Sequence, residues 1–182
     1  LVTSLIMAAW TAQGELGGHV WEDNNRNGIR EAGEPVLTNA TIYLQNEAPW
    51  ITLATNTTDH TGRYTFTGLT SGTYRIFMQA SARYNVTIAN MGHDEDVDSD
   101  LVLTYWAPGV GGTDSIPYSM AAITNIDGGF VPLQPAFDIR VQPGHARPGQ
   151  PLFTTNGATV PFVYAISNSG DIALSTIYVY DV

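Results

Sequence analysis

One stretch of twelve residues, 23–34, constrains the fold more than any other part of the chain. It reads D-N-N-R-N-G-I-R-E-A-G-E and matches the pattern D-x-[DN]-x-[DN]-G-x5-E at every required position. Oxygen donors at these spacings surround a calcium ion, and the glycine permits the sharp turn between them. The predicted ligands are Asp23, Asn25, Asn27, the carbonyl of Ile29, Glu31 directly or through water, and Glu34 with two oxygens.

The alternative for this stretch is a turn rich in Asn and Gly that satisfies only its own backbone. The residues on either side of the stretch indicate the secondary structure around it. V-W-E precedes it, and after Pro35 the run V-L-T-N-A-T-I-Y-L-Q alternates, with Val36, Ala40, Ile42 and Leu44 on one face. Because these flanks read as strands, and an EF-hand needs helices, we expect the loop to hold a strand-to-strand connection.

The remaining pattern predicts short strands at sandwich spacing. The run I-T-L-A-T-N-T-T, the turn D-H-T-G at 59–62 and R-Y-T-F predict a hairpin, with Tyr64 and Phe66 on one face. The run T-Y-R-I-F-M-Q-A places Tyr74, Ile76 and Met78 on one face. With 43% hydrophobic residues, 18 Gly and 10 Pro, the chain fits an all-β globular protein.

Charge is scarce and unevenly distributed. The chain has 17 acids, 7 bases and a net charge of -10, which argues against binding to nucleic acid or an anionic membrane. An acidic run places Asp94, Asp96, Asp98 and Asp100 at alternate positions. In an extended segment these carboxylates would share one side and repel each other without a cation. We therefore expect a second calcium site or completion of the first; a solvated acidic loop is the alternative.

These motifs, in this order, resemble a known family. V-W-E-D-N-N-R-N-G-I-R-E-A-G-E, T-I-Y-L, T-D-H-T-G-R-Y-T-F-T-G-L, S-G-T-Y-R-I and G-H-D-E-D-V-D-S-D are similar to the B-repeat of serine-aspartate repeat adhesins, a relative of the collagen-adhesin B domain. The resemblance covers residues 14–122. It implies a prealbumin-like or Ig-like β-sandwich, stiffened by calcium, that serves as a stalk or spacer in extracellular or cell-surface proteins.

The sequence departs from many relatives of this kind in one respect. Pilin and adhesin domains that resemble it are often locked by an isopeptide bond from a lysine, and this chain has no lysine. Its stability must therefore come from the core and from bound metal. Cysteine is also absent, so disulfides and thiolate metal sites are excluded.

The composition changes near Gly129, where we predict a domain boundary. The run V-Q-P-G-H-A-R-P-G-Q-P reads as linker and turn. Beyond the boundary, F-D-I-R-V-Q-P-G, P-F-V-Y-A-I-S-N-S-G and T-I-Y-V-Y-D resemble the opening of another tandem β-sandwich repeat of large prokaryotic surface proteins. The predicted organisation is an N-terminal strand at 1–13, a calcium-binding sandwich at 14–128 and a second, incomplete sandwich at 129–182.

Residues 1–10 are mostly apolar and uncharged, and include Leu1, Ile6 and Trp10. They are too few to span a bilayer as a helix, and they lack the basic region of a signal peptide, although a signal remnant stays an alternative. We prefer an edge strand or an exchanged strand. Its insertion into the incomplete C-terminal sandwich of a neighbouring copy would build a head-to-tail homopolymer. The alternative is that the chain is a fragment of a multidomain surface adhesin.

No catalytic motif is evident. His19, His60, His93 and His145 are scattered, and no H-E-x-x-H or G-x-S-x-G is present. Asp59 could be a further calcium ligand, but its place in a D-x-x-G turn explains it. A carbohydrate-binding module is a rival function, since Trp10, Trp50 and Trp106 could stack on sugars, although core packing also explains them. Three sequons, at Asn39, Asn56 and Asn85, would permit glycosylation.

Overall fold

The structure, a computed structural model, describes residues 14–104, 107–144 and 155–178. The predicted N-terminal strand and its Trp10, together with Trp106 and His145, lie outside these residues. The chain divides into two compact units, Leu1–Pro132 and Leu133–Val182. No helix among the described residues has the length and apolar character needed to span a lipid bilayer.

The described secondary structure is entirely β, as the sequence predicts. In the first unit the strands are β1 Leu16–Glu22, β2 Thr41–Asn46, β3 Thr52–Thr57, β4 Arg63–Phe66, β5 Gly72–Gln79, β6 Tyr84–Val86, β7 Leu103–Thr104, β8 Val110–Gly112, β9 Ile116–Tyr118 and β10 Gly128–Pro132. The second unit contributes β11 Phe137–Pro143 and β12 Phe162–Asn168.

The first unit is built from two sheets. The smaller sheet has the order β4-β1-β10-β6, with β1 and β10 parallel. The larger sheet has the order β3-β2-β5-β8-β7, and β9 pairs with the end of β5. Each sheet turns one apolar face toward the other, which gives the sandwich that the resemblance implies.

The core comes from alternate residues of both sheets. Ile42 and Leu44 of β2 and Ile76 and Met78 of β5 have no exposed surface, as the period-two pattern predicts. From the smaller sheet come further buried side chains: Leu16, Val20, Tyr64, Phe66 and Phe130. The strand β1 is buried along nearly its whole length because β4 and β10 flank it and the core covers it.

Val36 does not belong to this inward face. Its side chain is 40% exposed, and it forms an isolated bridge with Trp21 ahead of β2. The alternation therefore begins at Ala40, and the earlier placement of Val36 was wrong because the chain is not yet a regular strand there.

The predicted hairpin around residues 59–62 is also wrong. The strand before this turn, β3, pairs with β2, whereas the strand after it, β4, pairs with β1 in the other sheet. Asp59 shapes the turn, since its Oδ1 accepts hydrogen bonds from the amides of Thr61 and Arg63. The turn carries the chain across the sandwich, so both strands can direct apolar side chains into one core.

The domain boundary lies a few residues later than the sequence predicts. Residues 128–132 form β10, which lies between β1 and β6 and contributes the fully buried Phe130. The first unit therefore ends at Pro132, and the boundary near Gly129 is corrected to the 132–133 junction. The glycines at 128 and 129 mark close packing, because a Cβ on Gly129 would lie 2.7 Å from the Trp21 ring.

The second unit is a two-stranded hairpin in its described residues. The register pairs Ile139 with Ile166 and Val141 with Tyr164, so these side chains share one face. On that face Phe137, Ile139, Val141 and Phe162 are each at least 50% exposed. The second, incomplete sandwich stays a prediction, since the described residues of this unit form only two strands.

The contribution of the core can be tested with two isoleucines, one in β5 and one in the loop between β2 and β3. Ile76→Ala should lower the free energy of unfolding of the first unit by about 2–5 kcal/mol, since it leaves a cavity at a fully buried site. Ile51→Ala, at a side chain that is 54% exposed, should change it by less than about 0.5 kcal/mol. Denaturant unfolding of both variants measures the difference, and equal losses would contradict the assigned core.

Candidate calcium loop and its buried carboxylates

The predicted loop 23–34 connects β1 to β2 and is organised around Asp23. The Asp23 side chain is fully buried. Its Oδ1 accepts hydrogen bonds from the amides of Arg26 at 2.7 Å and Asn27 at 3.2 Å, and its Oδ2 accepts one from the amide of Gly28 at 2.8 Å. The Thr87 hydroxyl, just after β6, donates a further hydrogen bond to Oδ2. Asp23 thus closes the loop and attaches it to the sandwich.

The other predicted ligands of the first half also turn into the loop. Asn25 Oδ1 accepts a hydrogen bond from the Asn27 amide at 3.1 Å, and Asn27 Oδ1 accepts one from the Ile29 amide at 2.8 Å. Gly28 has φ +78°, and a Cβ there would lie 2.4 Å from the Ile88 carbonyl oxygen. Only glycine is compatible with both the left-handed backbone and this close approach.

Glu34 folds back over the start of the loop. Its Oε1 accepts a hydrogen bond from the Asn24 amide at 3.0 Å, and its Oε2 accepts one from the Glu31 amide at 3.1 Å. Glu31 in turn accepts a hydrogen bond from Asn25 Nδ2 at 2.6 Å. The last residue of the motif is therefore held against the first half of the loop, as a closing ligand must be.

The fold brings the acidic run 94–100 next to the loop, but the backbone of the run is not extended as the sequence predicts. Residues 95–97 form a turn rather than an extended strand, and the Asp96 amide donates to Asp94 Oδ1 at 3.1 Å. Asp94 and Asp96 are exposed, whereas Asp98 is buried and Asp100 partly so. The expectation of four carboxylates on one side of an extended segment is wrong, because the backbone reverses within the run.

Asp98 is the member of the run that meets the loop. It forms an isolated bridge with Ile29, and neighbouring bonds join the Arg30 amide to the Val97 carbonyl at 2.7 Å and the Ser99 amide to the Gly28 carbonyl at 3.1 Å. Its Oδ1 is buried without a hydrogen-bond partner. Burial, and then the charge of Glu95, raise the pKa of Asp98.

A second carboxylate cluster, which the sequence reasoning missed, lies behind the loop at Asp127. This side chain is fully buried; its Oδ1 accepts a hydrogen bond from the His19 amide at 2.7 Å, and its Oδ2 lies 3.4 Å from Arg30 Nη2. The Asp127 amide donates to Asp100 Oδ2 at 2.6 Å. Asp127 carries no motif of its own, and its partners are distant in sequence, so only the fold reveals the cluster.

These carboxylates have little contact with water, and their pKa values are raised for that reason. Burial raises the pKa of Asp100 to about 7 and the pKa of Asp127 to about 6, although hydrogen bonds from backbone amides partly offset it. The pKa of His19 is lowered, first by burial and then by Arg30 and Arg63. The cluster thus concentrates negative charge that has few compensating partners.

The donor set suits calcium, which prefers carboxylate, amide and backbone oxygens. The unpartnered Oδ1 of Asp98 beside the loop is a buried acceptor of the same chemistry. The carboxylates do not, however, form a ready cage, because no group of three or more His, Asp or Glu side chains among the described residues is placed to hold a metal. Side-chain oxygens of asparagine and backbone carbonyl oxygens would have to supply many of the contacts.

The remaining candidate residues lie apart from the loop. Asn39 and Asn85 are exposed, while Asn56 Nδ2 donates to the Thr65 carbonyl at 2.8 Å. The Asp59 carboxylate accepts hydrogen bonds from Thr61 and Arg63, which lower its pKa to about 2. A turn role for Asp59 accounts for these contacts.

Comparison with known proteins identifies a domain family that part of the chain matches. Residues 14–107 match the SdrD B-like domain. Serine-aspartate repeat-containing protein C of Staphylococcus aureus (strain Newman) is 40% identical over 89 residues, and protein D of the same strain is 38% identical over 89 residues. The match covers 49% of this chain in both cases, but only 9% of protein C and 7% of protein D. The chain therefore spans less than a tenth of these relatives.

Among solved structures, one titled as the structure of the streptococcal ancillary pilin aligns with a TM-score of 0.40 and 12% identity. The alignment covers 88% of this chain and 51% of that chain.

The buried carboxylates predict an unusual pH dependence in calcium-free protein. A carboxyl whose folded pKa exceeds its unfolded value costs stability once it ionises, so stability should fall as pH rises from about 4 through the folded pKa values of about 6 and about 7. The lowered pKa of His19 acts in the opposite direction. Asp100→Asn removes one ionisable group but keeps an acceptor for the Asp127 amide.

Melting temperatures of both proteins between pH 4 and pH 8, measured in a chelator, isolate the contribution of Asp100. The difference between variant and wild type should grow in favour of Asp100→Asn up to about pH 7 and then level off. A difference that does not change with pH would contradict the raised pKa.

Proposed function

Because this chain belongs to the SdrD B-like domain family, we propose that its first unit is a non-enzymatic structural domain of a cell-surface protein, made rigid by calcium in the loop 23–34. The name of the family and those of its serine-aspartate repeat relatives support a surface role. A rigid sandwich module suits a stalk or spacer, which must transmit position and force rather than bind a substrate.

The observation that carries the proposal is the attachment of Asp23. Its carboxylate is buried and joins the amides of the loop to Thr87, just after β6. Ordering of the loop therefore also orders the segment after β6. A ligand bound here would stiffen the sandwich and not merely a surface turn.

In this proposal Asp23, Asn25, Asn27, the Ile29 carbonyl, Glu31 and Glu34 hold the ion, and Asp98 is the nearest further acceptor. Calcium would supply positive charge to a region where Asp98 has an unpartnered oxygen and where Asp100 and Asp127 are buried. Asp94 and Asp96 are exposed and, like Asp100, stay predicted rather than assigned ligands. Without lysine, no isopeptide bond can replace this stabilisation.

We further propose that copies of the chain assemble head to tail by strand addition. The observation behind this is the uncovered apolar face of β11 and β12, on which Phe137, Ile139, Val141 and Phe162 are exposed. The apolar residues 1–10 have the composition of a strand that could cover such a face. Burial of about five of their side chains would contribute roughly 8–15 kcal/mol before association costs.

Removal of calcium should destabilise the first unit. If free calcium exceeds the dissociation constant a hundredfold, binding adds about 2.7 kcal/mol to the free energy of unfolding, and a chelator should lower the melting temperature accordingly. Glu34→Gln should reduce the calcium-dependent shift, since it removes the charge of the closing ligand.

Asp138→Asn is the matched control, because Asp138 is an exposed acid of the second unit. It should keep the full calcium-dependent shift. A melting temperature that is the same in calcium and in chelator for the unmutated chain would contradict the calcium proposal.

Assembly should depend on the apolar face of the hairpin. Ile139→Asp places a charge on that face, whereas Arg140→Asp alters the neighbouring residue, which points to the opposite face. Sedimentation and electron microscopy should show that Ile139→Asp and a deletion of residues 1–10 each abolish polymers, while Arg140→Asp retains them. Monomers alone from the unmutated chain would contradict head-to-tail assembly.

A further inference from the structure

The outer face of the larger sheet carries a groove that the calcium loop does not use. Its volume is about 740 Å³, and its walls include the aromatic residues Tyr43, Trp50 and Phe77 and the polar residues Gln45, Thr52 and Arg75. We refer to these six residues as the aromatic groove. Three aromatic rings and one cation on a single outward face are unusual in a chain with 10% aromatic residues and a net charge of -10.

The register of the sheet explains how the groove is formed. Tyr43 pairs with Phe77, and Gln45 pairs with both Thr52 and Arg75, so the side chains form two cross-strand rows. Gly112 lies opposite Phe77, and a Cβ there would lie 2.7 Å from the Phe77 ring. The glycine therefore allows the Phe77 ring to lie against the sheet.

Trp50 is held at one end of the groove in a costly conformation. Its φ is +60°, which a bulky side chain rarely adopts, and its side chain is 50% exposed. Asn46 fixes the surrounding loop, since its Oδ1 accepts a hydrogen bond from the Ile51 amide at 2.8 Å and its Nδ2 donates to the Ala48 carbonyl at 3.2 Å. Strain of this kind at an exposed aromatic residue is typical of a ligand clamp.

Arg75 supplies the cation of the groove. Its guanidinium lies 4.4 Å from the centre of the Trp50 ring. Among the described residues its buried Nε has no hydrogen-bond partner. An arginine stacked on an aromatic ring presents a planar fork of donors that matches a carboxylate.

The residues of the groove favour a sugar over a peptide as its ligand. Strand β2 lies between β3 and β5, so its backbone donors and acceptors are used in the sheet. A peptide lying across this face would bring amide groups that find few partners. A sugar ring needs an apolar surface for its C–H face and side chains for its hydroxyls, which the aromatic rings, Gln45 and Thr52 provide.

We propose that the aromatic groove binds a uronic acid unit of an acidic polysaccharide. The sugar ring packs beside the stacked pair of Trp50 and Arg75, its carboxylate pairs with Arg75, and its hydroxyls meet Gln45 and Thr52. The site is independent of the calcium loop and gives the structural domain a capacity to adhere to acidic glycans.

The test is calorimetric titration of the full chain with tetragalacturonic acid, and with its methyl ester as the neutral match. The acid should bind and the ester should bind at least about tenfold more weakly, since it loses a charge-assisted hydrogen bond. Higher salt should weaken binding of the acid, because the pair is partly exposed.

Five variants locate the site. Trp50→Ala and Arg75→Gln should each weaken binding by about tenfold or more. Ile51→Ala, beside Trp50, and Arg83→Gln, an exposed arginine outside the groove, should bind as the unmutated chain does. Melting temperatures confirm that each variant is folded, and Arg75→Lys provides a second variant that keeps the charge but loses the planar fork.

Three results would overturn the proposal. The first is no binding of tetragalacturonic acid at millimolar concentration by the folded, unmutated chain. The second is equal affinity for the acid and its ester, or binding that Trp50→Ala and Arg75→Gln leave unchanged. The third is tighter binding of a hexaglutamate peptide than of the sugar acid at the same groove.

Discussion

The buried carboxylate of Asp23 is the interaction on which the rest of the first unit depends. A fully buried charge is tolerated only when hydrogen bonds replace its hydration, and Asp23 obtains them from loop amides and from Thr87. The same contacts fix the shape of the loop 23–34 and join it to the strand pair β6 and β10. One side chain therefore couples the conformation of a surface loop to the packing of the smaller sheet.

Near the loop the fold brings together three further carboxylates that are buried or partly buried. Asp98 retains an unpartnered oxygen, Asp127 has one arginine at 3.4 Å, and Asp100 faces the Asp127 amide. In apolar surroundings such carboxylates favour the protonated form. A divalent cation at the loop would compensate this charge, which links the stability of the domain to the medium outside the cell in the proposed surface role.

Much of the fold could be predicted from the sequence, because strand alternation and the loop motif are local signals. Ile42, Leu44, Ile76 and Met78 point inward as their spacing indicates. The prediction of a hairpin at 59–62 was wrong because a D-x-x-G turn can join two paired strands or carry the chain from one sheet to the other. The acidic run misled because alternate spacing places residues on one face only in an extended backbone, and this backbone reverses.

The contacts that could not be predicted join residues far apart in the chain. Asp127 contacts His19 across 108 positions, and the strand β10 that precedes the boundary contains only five residues, too few for a clear periodic signal. The aromatic groove has the same origin, since Trp50 and Arg75 meet only after β2 and β5 have paired. The sequence indicates which residues of the loop carry oxygen ligands. The fold determines which residues distant in sequence lie beside them.

Hydrogen–deuterium exchange of the unmutated chain in calcium and in chelator can show whether calcium in the loop stiffens the sandwich through Asp23. We expect calcium to slow exchange together in residues 23–34 and in residues 87–100, because Thr87 and Asp98 contact the loop. Exchange that is unchanged by calcium, or slowed in residues 23–34 alone, would contradict it.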